Sequence, residues 1–132
     1  MNLERITLIF YIGCFIFFAV PAFFLPEWFA GLLGYEISSK GSKMEFVAAY
    51  GGLILGVGFF LFYCLYKNII IGLFSVLIIV GTLLFGRVVG YIIEGSVNNV
   101  QLFFLTIELG TVIFLAYVLY YRKKEVKKVE HK

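Results

Sequence analysis

Four apolar stretches of about 20–25 residues, Ile6–Leu25, Met44–Tyr66, Ile69–Ile93 and Gln101–Tyr121, leave this chain very little freedom of fold. A helix rises 1.5 Å per residue, so each stretch is long enough to cross a hydrocarbon core about 30 Å thick. The stretches are continuous rather than alternating and too long for barrel strands, which excludes a membrane β-barrel. The second and third are joined by Lys67-Asn68 alone, the third and fourth by the seven residues from Glu94 to Val100. Links that short force antiparallel neighbours. The sequence therefore predicts a single all-α domain over residues 1–132, an integral membrane four-helix bundle running up-down-up-down. Composition agrees: 62% of residues are hydrophobic, 14% are charged and the mean hydropathy is +1.01, well outside the soluble range.

Basic residues set the orientation. The side holding both termini and the second link carries Arg5, Lys67 and the six tail residues Arg122, Lys123, Lys124, Lys127, Lys128 and Lys132; the other side carries Lys40 and Lys43. Eight against two places both termini, with the tail 122–132, in the cytoplasm. Tyr63, Tyr66, Tyr117, Tyr120 and Tyr121 then form an inner aromatic belt and Trp28 marks the outer interface. The tail is a juxtamembrane anchor for anionic lipid rather than a nucleic-acid surface, because its charge is confined to one end. The segment between the first two spans opens on Pro26-Glu27-Trp28-Phe29 and continues with Leu32, Leu33 and Tyr35. Too short to span, it is expected to form an interfacial helix ending near Gly34.

The first run reads as a retained span, since its apolar core exceeds that of a signal peptide. Pro21 within it is expected to kink it. Cys14 and Cys64 lie at depths differing by about 10 Å, too far apart to bridge, and are expected to pack as small apolar residues. Neither has metal-ligand spacing, and the single histidine, His131, is in the tail. No metal, cofactor or catalytic set is legible, and an enzyme is the least favoured reading.

Inside this grease stand Glu45, Arg87 and Glu108. A charge at mid-span costs about 2.5–3.5 kcal/mol on insertion scales, so it needs a partner or a task. With the orientation above, Arg87 lies about 9 Å and Glu108 about 10 Å below the outer ends of their spans. These spans are antiparallel neighbours, so the two side chains are expected to meet, with Glu45 within reach of Arg87 from above. Tyr50, Glu94, Asn98 and Gln101 complete a polar constellation in the outer half of the bundle. Gly51, Gly52, Gly56, Gly86 and Gly90 are expected to let helices approach closely there. Glu45, Ala49, Gly52 and Gly56 fall on one α-helical stripe. The constellation is read either as a buried salt bridge fixing helix register or as a polar-headed pocket open toward the outer leaflet.

The blocks Glu45-Phe46-Val47-Ala48-Ala49-Tyr50-Gly51-Gly52-Leu53-Ile54-Leu55-Gly56-Val57-Gly58, Gly86-Arg87-Val88-Val89-Gly90, Glu94-Gly95 and Glu108-Leu109 resemble the small bacterial membrane family called domain of unknown function 4345. The resemblance covers nearly the whole chain, and through it the chain is similar to DoxX-like four-helix membrane proteins. Glu45, Tyr50, Gly51, Gly52, Gly56, Arg87, Gly90, Gly95 and Glu108 match the family's pattern. Val47 stands where the family often has a basic residue, and Glu94 where it often has aspartate. Losing the basic residue makes Glu45 more dependent on Arg87.

Three functions compete. In the preferred one, a non-enzymatic protein of the bacterial inner membrane holds a lipid-like or amphiphilic molecule by its head at Arg87, Glu45 and Glu108. The alternatives are an accessory subunit for a redox or transport partner, and a small proton-coupled transporter. Four-helix exporters rely on an acid in their first helix, which this chain lacks. The sequence leaves the oligomeric state open.

Overall fold

The computed structural model describes residues 3–96 and 98–130, the side chains of 123–130 excepted. It is helical throughout: α1 Leu3–Phe24, α2 Pro26–Leu33, α3 Lys40–Phe46, a π-helical segment Val47–Leu53, α4 Ile54–Lys67, α5 Ile69–Glu94 and α6 Asn99–Glu130. Four helices are long and apolar enough to cross a membrane: Leu3–Phe24, the continuous Lys40–Lys67, Ile69–Glu94 and Asn99–Arg122. They overlay the four expected spans, each reaching a few residues further at one end or both. The helix α6 also continues past the membrane stretch into the basic tail. The first helix runs unbroken through Pro21.

Each break has a local cause. The expected short helix is present as α2, ended by Gly34 at φ 85, a left-handed cap that glycine adopts without a Cβ clash. Its closing bond runs from the Tyr35 amide to the Ala30 carbonyl at 2.8 Å. Ser39 starts α3: its hydroxyl accepts from the Ser42 amide at 3.0 Å, and the Ser42 hydroxyl accepts from the Ser39 amide at 2.9 Å, a reciprocal cap. A single extended residue, Asn68, separates α4 from α5, and its side-chain oxygen accepts from the amides of Ile70 and Ile71. Gly95, at φ 68, ends α5. The Asn98 oxygen accepts from the Gln101 amide at 2.8 Å and so caps α6.

In the bundle α1 is the most embedded helix, packing against α4, the π segment and α5, whereas α6 packs chiefly on α5. At the end near the termini, Leu8 and Ile12 of α1 meet Leu61 and Cys64 of α4, Leu73, Val76 and Val80 of α5, and Leu115 and Val118 of α6. At the far end Ala22, Phe29, Ala30, Leu33 and Phe46 form a second cluster, with Tyr50 and Phe104 against it. Phe17, Phe24, Phe85, Ile92 and Ile93 are among many exposed apolar side chains, the inversion of a soluble surface that lipid requires. Both cysteines are free, Cys64 buried and Cys14 half-buried.

The glycines pack differently from the expected small-residue faces. A Cβ at Gly51 would lie 3.1 Å from the Phe23 ring, one at Gly58 3.2 Å from Ile16, and one at Gly72 2.8 Å from Leu8. One at Gly52, Gly56, Gly86 or Gly90 would meet nothing within 4 Å. Of the five glycines expected to carry helix packing, Gly51 alone does so within the chain. The physical reason in the second span is the π segment. Its i→i+5 bonds widen the turn, so the α-helical stripe from Glu45 to Gly56 does not survive. Gly51 and Gly58 turn to α1 instead.

Candidate functional site

Arg87 projects from the last third of α5, two turns before the Gly95 cap. Its Nε donates to both carboxylate oxygens of Glu108 on α6, at 2.8 and 2.9 Å. Its Nη1 donates to the side-chain oxygen of Gln101, one turn into α6. The Gln101 amide nitrogen donates in turn to the Leu33 carbonyl at 3.2 Å. The guanidinium carbon stands 5.0 Å from the centre of the Phe104 ring, a cation–π arrangement that favours charge in an apolar setting. Gln101, Phe104 and Glu108 succeed one another at three and four residues and so share one face of α6. Three consecutive steps of that face are occupied by the same guanidinium.

The acid is more enclosed than the base. The Glu108 side chain is 10% exposed and that of Arg87 26%. No buried side-chain nitrogen or oxygen among the described residues lacks a hydrogen-bond partner. No described acceptor is bonded to Nη2 of Arg87, and that nitrogen is not fully buried. The Tyr50 hydroxyl donates to the Tyr35 hydroxyl at 2.9 Å and lies within Coulombic range of Arg87. Tyr50 stacks on Phe46 at 4.6 Å between ring centres. Two phenols joined by one hydrogen bond retain one O–H to donate outward.

The structure thus brings Arg87, Glu108 and Gln101 into direct contact, with Tyr50 beside them and Asn98 capping the helix that carries two of them. It does not bring Glu45 to Arg87. Glu45 is exposed and has no cation within 4 Å among the described residues: it leaves α3 two residues before the π segment, while Arg87 is engaged on the α6 side. Glu94 is exposed at the end of α5 and likewise takes no part. Three participants escaped the sequence reading: Phe104 under the guanidinium, Tyr35, and the Leu33 carbonyl. Phe104 was recoverable from its spacing between Gln101 and Glu108. Tyr35 and Leu33 were not, since only the docking of α2 onto the bundle delivers them. Around α2, Lys43 Nζ also pairs with Glu27 at 2.9 Å. This holds the exposed Glu27 carboxyl below its ordinary range, first by the hydrogen bond and then by charge.

No curated protein and no solved structure matches the chain, so the expected kinship with DoxX-like proteins finds no support there. A family model described as Domain of unknown function (DUF4345) matches residues 3–120. That match takes in all four apolar helices and every member of the Arg87 site, and the chain belongs to this family.

Proposed function

We propose that this is a non-enzymatic protein of the bacterial inner membrane, with both termini cytoplasmic, that holds a lipid-like or amphiphilic molecule by its head at the Arg87 site. The observation that carries the reading is the half-satisfied guanidinium. Two of its nitrogens are fixed by Glu108 and Gln101, the third has no described partner, and a phenol pair lies within Coulombic range. A group fixed on one side and open on the other is preorganised to donate to a ligand. Because Glu108 already balances the charge, the site favours a neutral acceptor such as a carbonyl or quinone-like head over a full anion. Exposed aromatic and aliphatic side chains nearby suit an apolar tail.

Native mass spectrometry of gently purified protein should reveal a co-purifying amphiphile. Arg87→Lys should leave the melting temperature within a few degrees yet release that species, since an ammonium cannot hold Glu108 and Gln101 while presenting a third donor. A charged hydrogen bond is worth about 1.5–3 kcal/mol, so occupancy should fall about tenfold or more. Undiminished retention by Arg87→Lys, or a wild-type protein carrying no small molecule, would count against the proposal. The orientation has its own check: a cysteine at Lys40 should react with an impermeant maleimide in intact cells and one in the tail should not. The reverse pattern would invert the assignment.

A further inference from the structure

One wall of the Arg87 site belongs to no spanning helix. The helix α2 buries Phe29, Ala30 and Leu33 in a cluster against which Tyr50 and Phe104 also pack. Those same rings belong to the Arg87 site: Phe104 lies 5.0 Å from the guanidinium carbon and Tyr50 within its Coulombic range. The far end of α2 meets α6 directly. The Gln101 amide nitrogen donates to the Leu33 carbonyl at 3.2 Å, and a Cβ at Gly34 would lie 3.0 Å from Asn98 Nδ2. Each end of α2 offers a hinge. Leu25 alone, in a non-helical conformation, separates it from α1, and Gly34 at φ 85 opens onto residues 35–38, which have no regular structure. Hinge motion is absorbed at a few such positions at the ends of elements.

What holds α2 down is decided by its polar contacts. Trp28 and Leu32 are 60% and 54% exposed, while Phe29, Ala30 and Leu33 are buried, so the helix is apolar on both faces. Helices in lipid gain little from burying apolar surface on one another, because lipid tails are as apolar as the core. Lifting α2 into lipid therefore costs its inner face far less than exposure to water would. Among the described residues, two polar links join α2 to another helix. Glu27 with Lys43 is an exposed pair, the side chains 71% and 46% accessible, and such pairs contribute little. The other is the Gln101 amide on Leu33, whose oxygen is itself held by Arg87 Nη1. The amide is one rigid plane, so Oε1 does not leave Nη1 without carrying Nε2 off Leu33. We propose that α2 is a lid on the Arg87 site, latched by the Gln101 side chain, so that whatever takes Nη1 from Gln101 also frees α2 to lift. This deepens the binding reading above and rests on it for what passes the lid, whereas the latch is a property of the chain alone.

Hydrogen–deuterium exchange of the full chain in phosphatidylcholine nanodiscs, read by mass spectrometry, tests the latch with no ligand added. Amide exchange reports local opening, and a hydrogen bond of ordinary net strength shifts such an opening by about five-fold. Gln101→Leu should therefore speed exchange over residues 26–35 by about that factor, with α1 and α5 unchanged. Gln101→Glu isolates the link to α2: its carboxylate still accepts from Arg87 but has no donor for Leu33, so it should speed the same segment as much. Arg87→Leu combined with Glu108→Gln keeps Gln101 but removes the guanidinium that orients it, and should speed the segment too. Glu27→Gln should change it less than any of these. Retention of an amphiphile is read separately, so a wild-type protein that carries none fails the binding reading without touching the exchange result. Three results would overturn the inference: exchange over 26–35 unaltered by Gln101→Leu; exchange as slow in Gln101→Glu as in the wild type; or faster exchange spread evenly over every helix, which would mark general loosening rather than a lid.

Discussion

Arg87→Leu should lower the melting temperature in detergent more than Arg87→Leu combined with Glu108→Gln. The single change leaves a carboxylate, almost enclosed between α5 and α6, without its counter-charge, and uncompensated buried charges cost about 3–5 kcal/mol in soluble proteins. The double change removes charge from both sides and leaves no ion without its counter-charge. Exposure also ranks the single variants. Arg87 is the more accessible partner, and its long stem can carry the guanidinium outward. Glu108→Gln should therefore be milder than Arg87→Leu. Thermal melts of the three variants and wild type form a double-mutant cycle. Additive losses would mean that the pair does not couple, contrary to the geometry.

Gly72→Ala should destabilise the protein although alanine is the better helix former. The added methyl would sit 2.8 Å from Leu8 Cδ2 and 3.0 Å from Cys64 Cβ. Leu8 is fully buried, and a Cβ cannot rotate away, so neither neighbour can yield cheaply. Overpacking of this kind costs about 1–3 kcal/mol, against about 1 kcal/mol gained from glycine to alanine in a helix. Gly56→Ala and Gly86→Ala keep that gain without a clash and should be neutral or stabilising. Denaturation of the three variants side by side would decide the matter, and a Gly72→Ala protein as stable as Gly86→Ala would remove Gly72 from the interface.

The spans were legible because lipid imposes length and continuity on the sequence itself, and the Arg87–Glu108 pair because two charges at matched depth on antiparallel neighbours have few other places to go. Rotational phase is harder to read. A four-residue glycine spacing marks a face only while the helix stays α, and nothing in Val47-Ala48-Ala49-Tyr50-Gly51-Gly52-Leu53 announces a π segment. The spacing accordingly puts Glu45 on a stripe the chain does not keep. Gly72, the tightest glycine, has no small residue four positions away on either side and so gives no motif to find. Tyr35 and the Leu33 carbonyl reach the site through the docking of α2, a tertiary event that local pattern does not encode.

The Gln101 side chain bears on α2 in another way. That helix has eight residues, no basic residue in its last turn and a C-terminal carbonyl at Leu33 that the amide of Gln101 holds. A helix so short is not self-supporting, and the negative end of its dipole ordinarily asks for a nearby cation. Here the cation is supplied at one remove. Arg87 polarises the Gln101 amide from its oxygen side, and the amide passes that polarity to the Leu33 carbonyl through its nitrogen. The amide plane admits only one orientation, because reversing it would set donor against donor at Arg87 and acceptor against acceptor at Leu33. The charge buried between α5 and α6 thus acts as the electrostatic terminus of a surface helix that has none of its own.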